Sequence, residues 1–223
     1  MKYRNEWKHE LNRLDLAVLR RRLGAVLQPD AHGENGRYSI SSLYFDTPAN
    51  RALREKLDGV DRREKFRIRY YDNDPSSLHL EKKTKQHGLG TKRMEALTTD
   101  ELNALLDGRW GWMADDSRPL VCELYGKMCA DGLRPRVIVD YTREAFAFGP
   151  GNVRVTLDYD LRAGLDCRSF LQPGRVTVPV RDAPVILEVK WDGFLPELVR
   201  QLVQMPGRRT AAFSKYAACR MYG

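Results

Sequence analysis

Residues 64–71 read EKFRIRYY, a strict alternation of cationic and apolar side chains. A period of two is the signature of a β-strand, in which successive side chains point to opposite faces. Lys65, Arg67 and Arg69 therefore share one face, and Phe66, Ile68 and Tyr70 take the other. Four further runs repeat the division. In SLHLEKKTK (77–85), His79, Glu81, Lys83 and Lys85 oppose Leu78 and Leu80. In VRVTLDYD (153–160), Arg154, Thr156 and Asp158 oppose Val153, Val155 and Leu157, and in VILEVKW (185–191), Glu188 and Lys190 oppose Leu187 and Val189. Near the N-terminus, Arg4, Glu6, Lys8 and Glu10 oppose Tyr3, Asn5, Trp7 and His9.

Strands are predicted at 3–10, 36–46, 64–71, 77–85, 91–97, 135–148, 152–161 and 184–191, with Gly149-Pro150-Gly151 as a hairpin turn. Helical spacing appears at 11–27, from Thr98 or Thr99 through Leu106, at 195–204 behind Pro196, and at 213–221, while 116–129 is ambiguous. Eight strands with helices only at the margins predict a mainly β (α+β) chain: one closed barrel or a sandwich, as a single domain over 1–223.

With 223 residues, 42% of them hydrophobic, the chain can bury a sizeable core. Lys and Arg exceed Asp and Glu by 38 to 30, a net charge of +8, which points to an anionic partner. The four cysteines (Cys122, Cys129, Cys167, Cys219) show no zinc-like spacing and read as reduced thiols. No apolar run reaches the roughly 20 residues a membrane helix needs. The start, MKYRNEWKHEL, is charged and unlike a signal peptide, so a cytoplasmic protein is expected.

One charged strand face is ordinarily a solvated surface. Five together suggest more. If the apolar faces turn outward against helices, the charged faces line an interior, and cations packed there repel unless a polyanion such as a triphosphate offsets them. Arginine grips phosphate oxygens in pairs, and lysine supplies compact charge. A divalent ion on such phosphates needs one or two protein carboxylates; Glu188 is the first candidate and Glu6 the second. The chain has no GxxxxGK[ST] or GxGxxG phosphate loop and no GxSxG nucleophile motif, and the short GLG at 88–90 reads as a hairpin turn. Nucleic acid is the weakest partner, because Phe66 and Tyr70 face away from the arginines and cannot stack bases beside them.

The strings SLYFDTP (42–48), REKLDG (54–59), KFRIRYY (65–71), LEKKTK (80–85) and LEVKWDGFLPELV (187–199) resemble the VTC domain of polyphosphate polymerases, in the triphosphate tunnel metalloenzyme (CYTH-like) superfamily. The resemblance runs from Tyr3 to Tyr222 and implies an eight-stranded antiparallel β-barrel tunnel with flanking helices. It implies transfer of the ATP γ-phosphoryl group to a growing polyphosphate chain, with Mn²⁺ or Mg²⁺. In this reading Arg67, Arg69, Arg143, Arg154 and Glu188 are catalytic, and Lys8, Lys83, Lys85, Tyr141 and Lys215 bind substrate. One further basic residue is expected in TKRMEAL (91–97), where Lys92 and Arg93 point to opposite faces; Arg93 is chosen because Glu95 shares its face. The partners implied are ATP and polyphosphate, with no nucleic acid. No N-terminal helical sensor domain and no membrane segment are seen, so export of the product would fall to a separate membrane protein that recruits this one. A triphosphatase of the same fold and a non-catalytic polyphosphate binder remain alternatives.

Overall fold

The computed structural model describes residues 4–87, 89–208, 210 and 212–221. Tyr3, Gly88 and Tyr222, on which parts of the expected first strand, hairpin turn and family resemblance fall, lie outside the described residues. Ten strands and six α-helices follow in the order β1 (Asn5–Leu11), α1 (Arg13–Val26), β2 (Gln28–Pro29), β3 (Arg37–Asp46), α2 (Arg51–Leu57), β4 (Arg63–Tyr71), β5 (Asp74–Gln86), β6 (Leu89–Ala96), α3 (Thr99–Leu106), α4 (Pro119–Ala130), β7 (Arg134–Phe148), β8 (Val153–Gly164), β9 (Val178–Pro179), β10 (Val185–Trp191), α5 (Glu197–Val203) and α6 (Lys215–Arg220). The hydrogen-bonded order is β1-β10-β8-β7-β3-β4-β5-β6, with β2 on β7 and β9 on β8. The eight strands of that path are the eight expected, and the chain is mainly antiparallel β with flanking helices. The ambiguous 116–129 segment is a helix, α4, begun by Pro119 at its first turn where the missing N–H costs nothing.

The chain divides into two compact units. The first comprises Met1–Ser39, Tyr141–Leu161 and Val180–Ser214. Here α1 is opened by a capping box: Asn12 Oδ1 accepts from the Asp15 amide at 2.8 Å, and Asp15 Oδ2 from the Asn12 amide at 3.0 Å. Leu16, Leu19 and Leu23 of α1, with Val199 and Val203 of α5, pack on Val155, Leu157, Leu187 and Val189. This is the apolar face read from the sequence, and its burial leaves the charged residues of the same strands on the opposite face. Gly151 makes the β7–β8 turn at φ 73°, where an added Cβ would lie 2.5 Å from the Phe194 carbonyl oxygen.

The second unit comprises Ile40–Asp140, Arg162–Pro179 and Lys215–Gly223. Leu43, Phe66, Ile68 and Leu80 pack against Leu102 and Leu105 of α3 and Leu120 and Leu124 of α4. Arg175 fastens this face from a loop: it donates to Tyr70 Oη (2.6 Å), Ser41 Oγ (2.8 Å) and both oxygens of Asp140 (2.7 and 2.8 Å). Helix α2 was not expected. Its N-cap Asn50 sits in left-handed backbone (φ 56°) and makes no side-chain cap. The orphan amides of Ala52 and Leu53 instead donate to Asp46 at 2.8 and 3.2 Å, and that of Arg51 to Thr47 Oγ1 at 3.1 Å. The FDTP string thus caps a helix from four to seven residues upstream.

Candidate functional site

In the first unit, antiparallel register sets Lys8 opposite Glu188 and Glu188 opposite Thr156, while Glu6 faces Lys190 and Lys190 faces Arg154. Glu188, 7% exposed, gathers the cations: Lys190 Nζ at 3.0 Å and Lys8 Nζ at 3.5 Å on Oε1, and Arg143 Nη2 at 3.7 Å on Oε2. Burial alone would lift this carboxyl, but Lys190, Lys8 and Arg143 hold it well below the usual carboxylate range. The same pairing works in reverse on Lys8. Burial depresses its ammonium, Glu188 and Glu6 outweigh that, and the net shift is upward. Arg143 lies over the Tyr141 ring at 5.6 Å and grips Asp158 with two bonds of 2.6 and 2.8 Å. Arg154 donates to Tyr38 Oη at 2.8 Å and pairs with Asp30 at 2.9 Å. Two buried polar atoms on this face, Thr156 Oγ1 and Arg154 Nε, have no hydrogen-bond partner among the described residues. Such orphans suit an added acceptor such as a phosphate oxygen.

In the second unit, Arg67 (6% exposed) donates from Nε and Nη2 to Glu81 Oε2 at 2.7 and 2.5 Å, and from Nη1 to Tyr44 Oη at 2.8 Å. Arg69 donates to Ser42 Oγ at 2.9 Å, and Lys92 reaches Glu81 Oε1 at 3.1 Å. Burial would raise the Glu81 carboxyl, but Arg67, Arg69 and Lys92 together hold it far below its ordinary value. Tyr44 stacks on Tyr216 at 5.1 Å, and Tyr216 donates to Asp46. Lys83 and Lys85 lie on the face of Arg67, while Lys215 opens α6 beside Tyr216.

The expected residues therefore fall into two groups: Glu6, Lys8, Tyr141, Arg143, Arg154 and Glu188 in the first unit, and Arg67, Arg69, Lys83, Lys85 and Lys215 in the second. Arg93 is the exception. Its cross-strand neighbour is Lys82, and it pairs with Glu123 of α4 at 2.7 Å on the face opposite the arginines. Lys92 holds the position expected of Arg93. Strand parity already pointed to Glu81, Asp158 and Lys190, which share faces with chosen residues. Ser42 and Tyr44 were legible only as a polar alternation along RYSISSLYFD (37–46).

No cluster of three or more His, Cys, Asp or Glu that could hold a metal occurs among the described residues. The available donors are Glu188 and Glu6, which are both gripped by Lys8 and lie within hydrogen-bonding reach of each other. Two carboxylates fit Mg²⁺ or Mn²⁺, which draws its remaining ligands from water and substrate phosphates. Among the described residues, no helix is long and apolar enough to cross a membrane.

The VTC domain family model matches residues 3–222, nearly the whole chain and both units. The chain belongs to the VTC domain family. No curated protein matches it. Among solved structures, the PH1819 protein of Pyrococcus horikoshii OT3 is similar at TM-score 0.53 and 12% identity, with 98% of this chain and 96% of that one covered. A Bacillus halodurans protein named as a candidate adenylate cyclase is similar at TM-score 0.48 and 13% identity, covering 85% of this chain and 80% of that one. The first of these shows a shared fold for this VTC domain.

Lys65 on the second unit's charged face gives a pH signature. Its ammonium lies 5.0 Å from the Tyr216 ring centroid, and burial pulls its pKa down to about 8. A lysine with a lowered folded pKa costs stability while charged. That cost is full below pH 8 and disappears as pH rises toward the unfolded value near 10.5. Stability measured by urea unfolding is expected to gain a rising contribution between pH 8 and 10 that Lys65→Met abolishes; identical pH profiles for the two proteins would contradict the assignment.

Proposed function

We propose that this chain is a metal-dependent polyphosphate polymerase that uses ATP. The observation that carries the reading is Glu188: a buried carboxylate held ionised by three cations, beside the orphaned Thr156 hydroxyl, in a VTC domain. In the reaction, a terminal oxygen of the growing chain attacks the γ-phosphorus of ATP, the bond from γ-phosphorus to the β–γ bridging oxygen breaks, and ADP leaves. Nothing in this needs a covalent nucleophile from the protein, so catalysis is positioning and charge stabilisation. Arg143 and Arg154 offset negative charge in the first unit, and Arg67 and Arg69 do so in the second. Each is pre-oriented by a fixed partner (Asp158, Tyr38, Glu81 and Ser42), so little reorganisation is required as charge develops. Lys8, Lys83, Lys85 and Lys215 bind donor and chain. Glu188 and Glu6 would hold Mn²⁺ or Mg²⁺, which supplies charge neutralisation on the phosphates.

The test is incubation of the purified protein with ATP and Mn²⁺ or Mg²⁺, with ADP, free phosphate and chains resolved on a gel. Chains with stoichiometric ADP are expected. Free phosphate without chains would replace the polymerase with a triphosphatase, and no turnover would leave a binding module.

A further inference from the structure

The apolar side of the first unit carries a recess of its own. Strand parity turns Trp7, His9 and Leu11 of β1 away from Glu6 and Lys8, and Leu187 of β10 away from Glu188. Helix α5 and the residues after it cross this side without filling it, and leave a cavity of about 420 Å³. That volume lies within the roughly 300–1,000 Å³ of small-molecule sites. The floor is apolar: Trp7, Leu11, Leu187, Val203 and Met205. Only Trp7 is aromatic, and its ring already meets Trp191 edge-on at 4.8 Å. Met205 is the kind of flexible side chain that adjusts to an irregular guest. A bridge between His9 and Thr210 ties the chain beyond Arg208 back to β1, which fixes this wall to the sheet.

The rim is cationic. Arg200 and Arg208 line the opening, and Arg22 of α1 reaches it by donating to the Gln204 carbonyl at 3.3 Å and to Met205 Sδ at 3.8 Å. Two carboxylates stand against these three guanidiniums, and both are engaged. Glu197 pairs with Arg200 at 2.8 Å, and Asp15 pairs with Arg208 at 2.6 Å while capping α1. Arg22 makes no ion pair among the described residues. Arg208 Nε is buried and has no hydrogen-bond partner among them. A buried donor left unmatched is costly and calls for an acceptor. Surplus positive charge and an open donor above an aliphatic floor match a molecule with an aliphatic body and one anionic head. A nucleotide matches less well, because its base would find a single indole, already in contact with Trp191, among aliphatic side chains.

We propose that this recess binds a single acyl chain with an anionic head, the chemistry of a medium-chain fatty acid anion. The tail lies on Trp7, Leu187, Val203 and Met205, and the head is held by Arg22, Arg200 and Arg208. The inference is independent of the phosphate reading, since the recess lies on the face of β1 and β10 opposite Lys8 and Glu188.

The test is calorimetric titration of the full chain with octanoate, decanoate and dodecanoate, each below its micelle concentration, and with decanol. Saturable one-to-one binding is expected to tighten by about ten-fold for each added pair of methylenes, the value for full burial. Decanol binds at least about ten-fold more weakly than decanoate, because it forfeits the charge-assisted bonds. Val203→Trp fills the cavity and abolishes binding. Arg22→Gln weakens decanoate by about ten-fold and leaves decanol unchanged. Arg21→Gln and Glu188→Gln keep wild-type affinity, and tripolyphosphate does not displace decanoate. No saturable binding, equal affinity for decanol and decanoate, or wild-type affinity in Arg22→Gln overturns the proposal. Displacement by tripolyphosphate overturns it by placing the ligand on the charged face, and tighter binding of AMP at the same site assigns a nucleotide instead. Sedimentation with phosphatidylglycerol vesicles without binding of free decanoate overturns it in favour of a bilayer surface. Arg22→Gln, at an exposed position of α1, keeps the test decisive should Val203→Trp fail to fold.

Discussion

Glu188→Gln is expected to lower metal-dependent turnover by on the order of 10²–10³-fold, the scale of removing one preorganised charge-stabilising group. The fold survives the change, because Lys8 retains Glu6 and Arg143 retains its two bonds to Asp158. Binding gives the diagnostic contrast. In EDTA, removing one negative charge from among Lys8, Lys190 and Arg143 leaves tripolyphosphate affinity unchanged or tighter. With Mn²⁺ added, wild type gains affinity and the variant does not. Wild-type rates in the variant would remove Glu188 from the metal site, and a collapsed thermal transition would assign it a structural role instead.

The second large effect concerns stability. Arg67→Ala strands Glu81, only 1% exposed, with Lys92 as its one remaining ion-pair partner among the described residues. Breaking a buried pair by deleting one member costs about 3–5 kcal/mol, which urea unfolding at pH 7 can read directly. The pH dependence follows from the sign of the shift. In wild type, Glu81 ionises below its ordinary value, so its contribution is present above about pH 4.5 and is lost as pH falls. Without Arg67, burial dominates and the carboxyl ionises higher. The gap between wild type and variant is therefore widest at neutral pH and narrows on acidification through pH 5. Arg67→Lys recovers only part of the loss, because an ammonium cannot reach Glu81 and Tyr44 together as the guanidinium fork does. A gap that stayed constant with pH would show that packing, and not charge, sets the cost.

What the sequence made legible was whatever obeys a local period. Five of the eight strands of the main path were readable because apolar and charged residues alternate along them, α1 from the helical spacing of its apolar residues, and α3 because Thr98 sits at a capping position immediately before a helical pattern. Helix α2 was hidden because its cap comes from Asp46 and Thr47 across a left-handed Asn50. The choice between Lys92 and Arg93 failed for a related reason. Both faces of β6 carry charge, so local parity is ambiguous and only the hairpin register, with Lys92 beside Lys83, decides it. Glu95 was a poor guide, since the carboxylate that claims Arg93 is Glu123, 30 residues away on α4. Likewise, Lys65 was visible as a member of the charged face, but its lack of an ion pair among the described residues depends on where Asp46 and Tyr216 direct their polar atoms.

Asp46 also has a consequence for how the chain is made. Its carboxylate caps α2 and accepts the hydroxyl of Tyr216, a residue 170 positions later. The ribosome therefore delivers the acceptor long before its donor Tyr216. Until residues 215–220 emerge, Tyr44 lacks its stacking partner and Lys65 its ring. Strands β4 and β5 can pair while the chain is still growing, but the aromatic contacts of Tyr44 and Lys65 wait for α6. Nascent chains stalled before Tyr216 should consequently hold β4 and β5 in a looser, protease-sensitive form until α6 emerges.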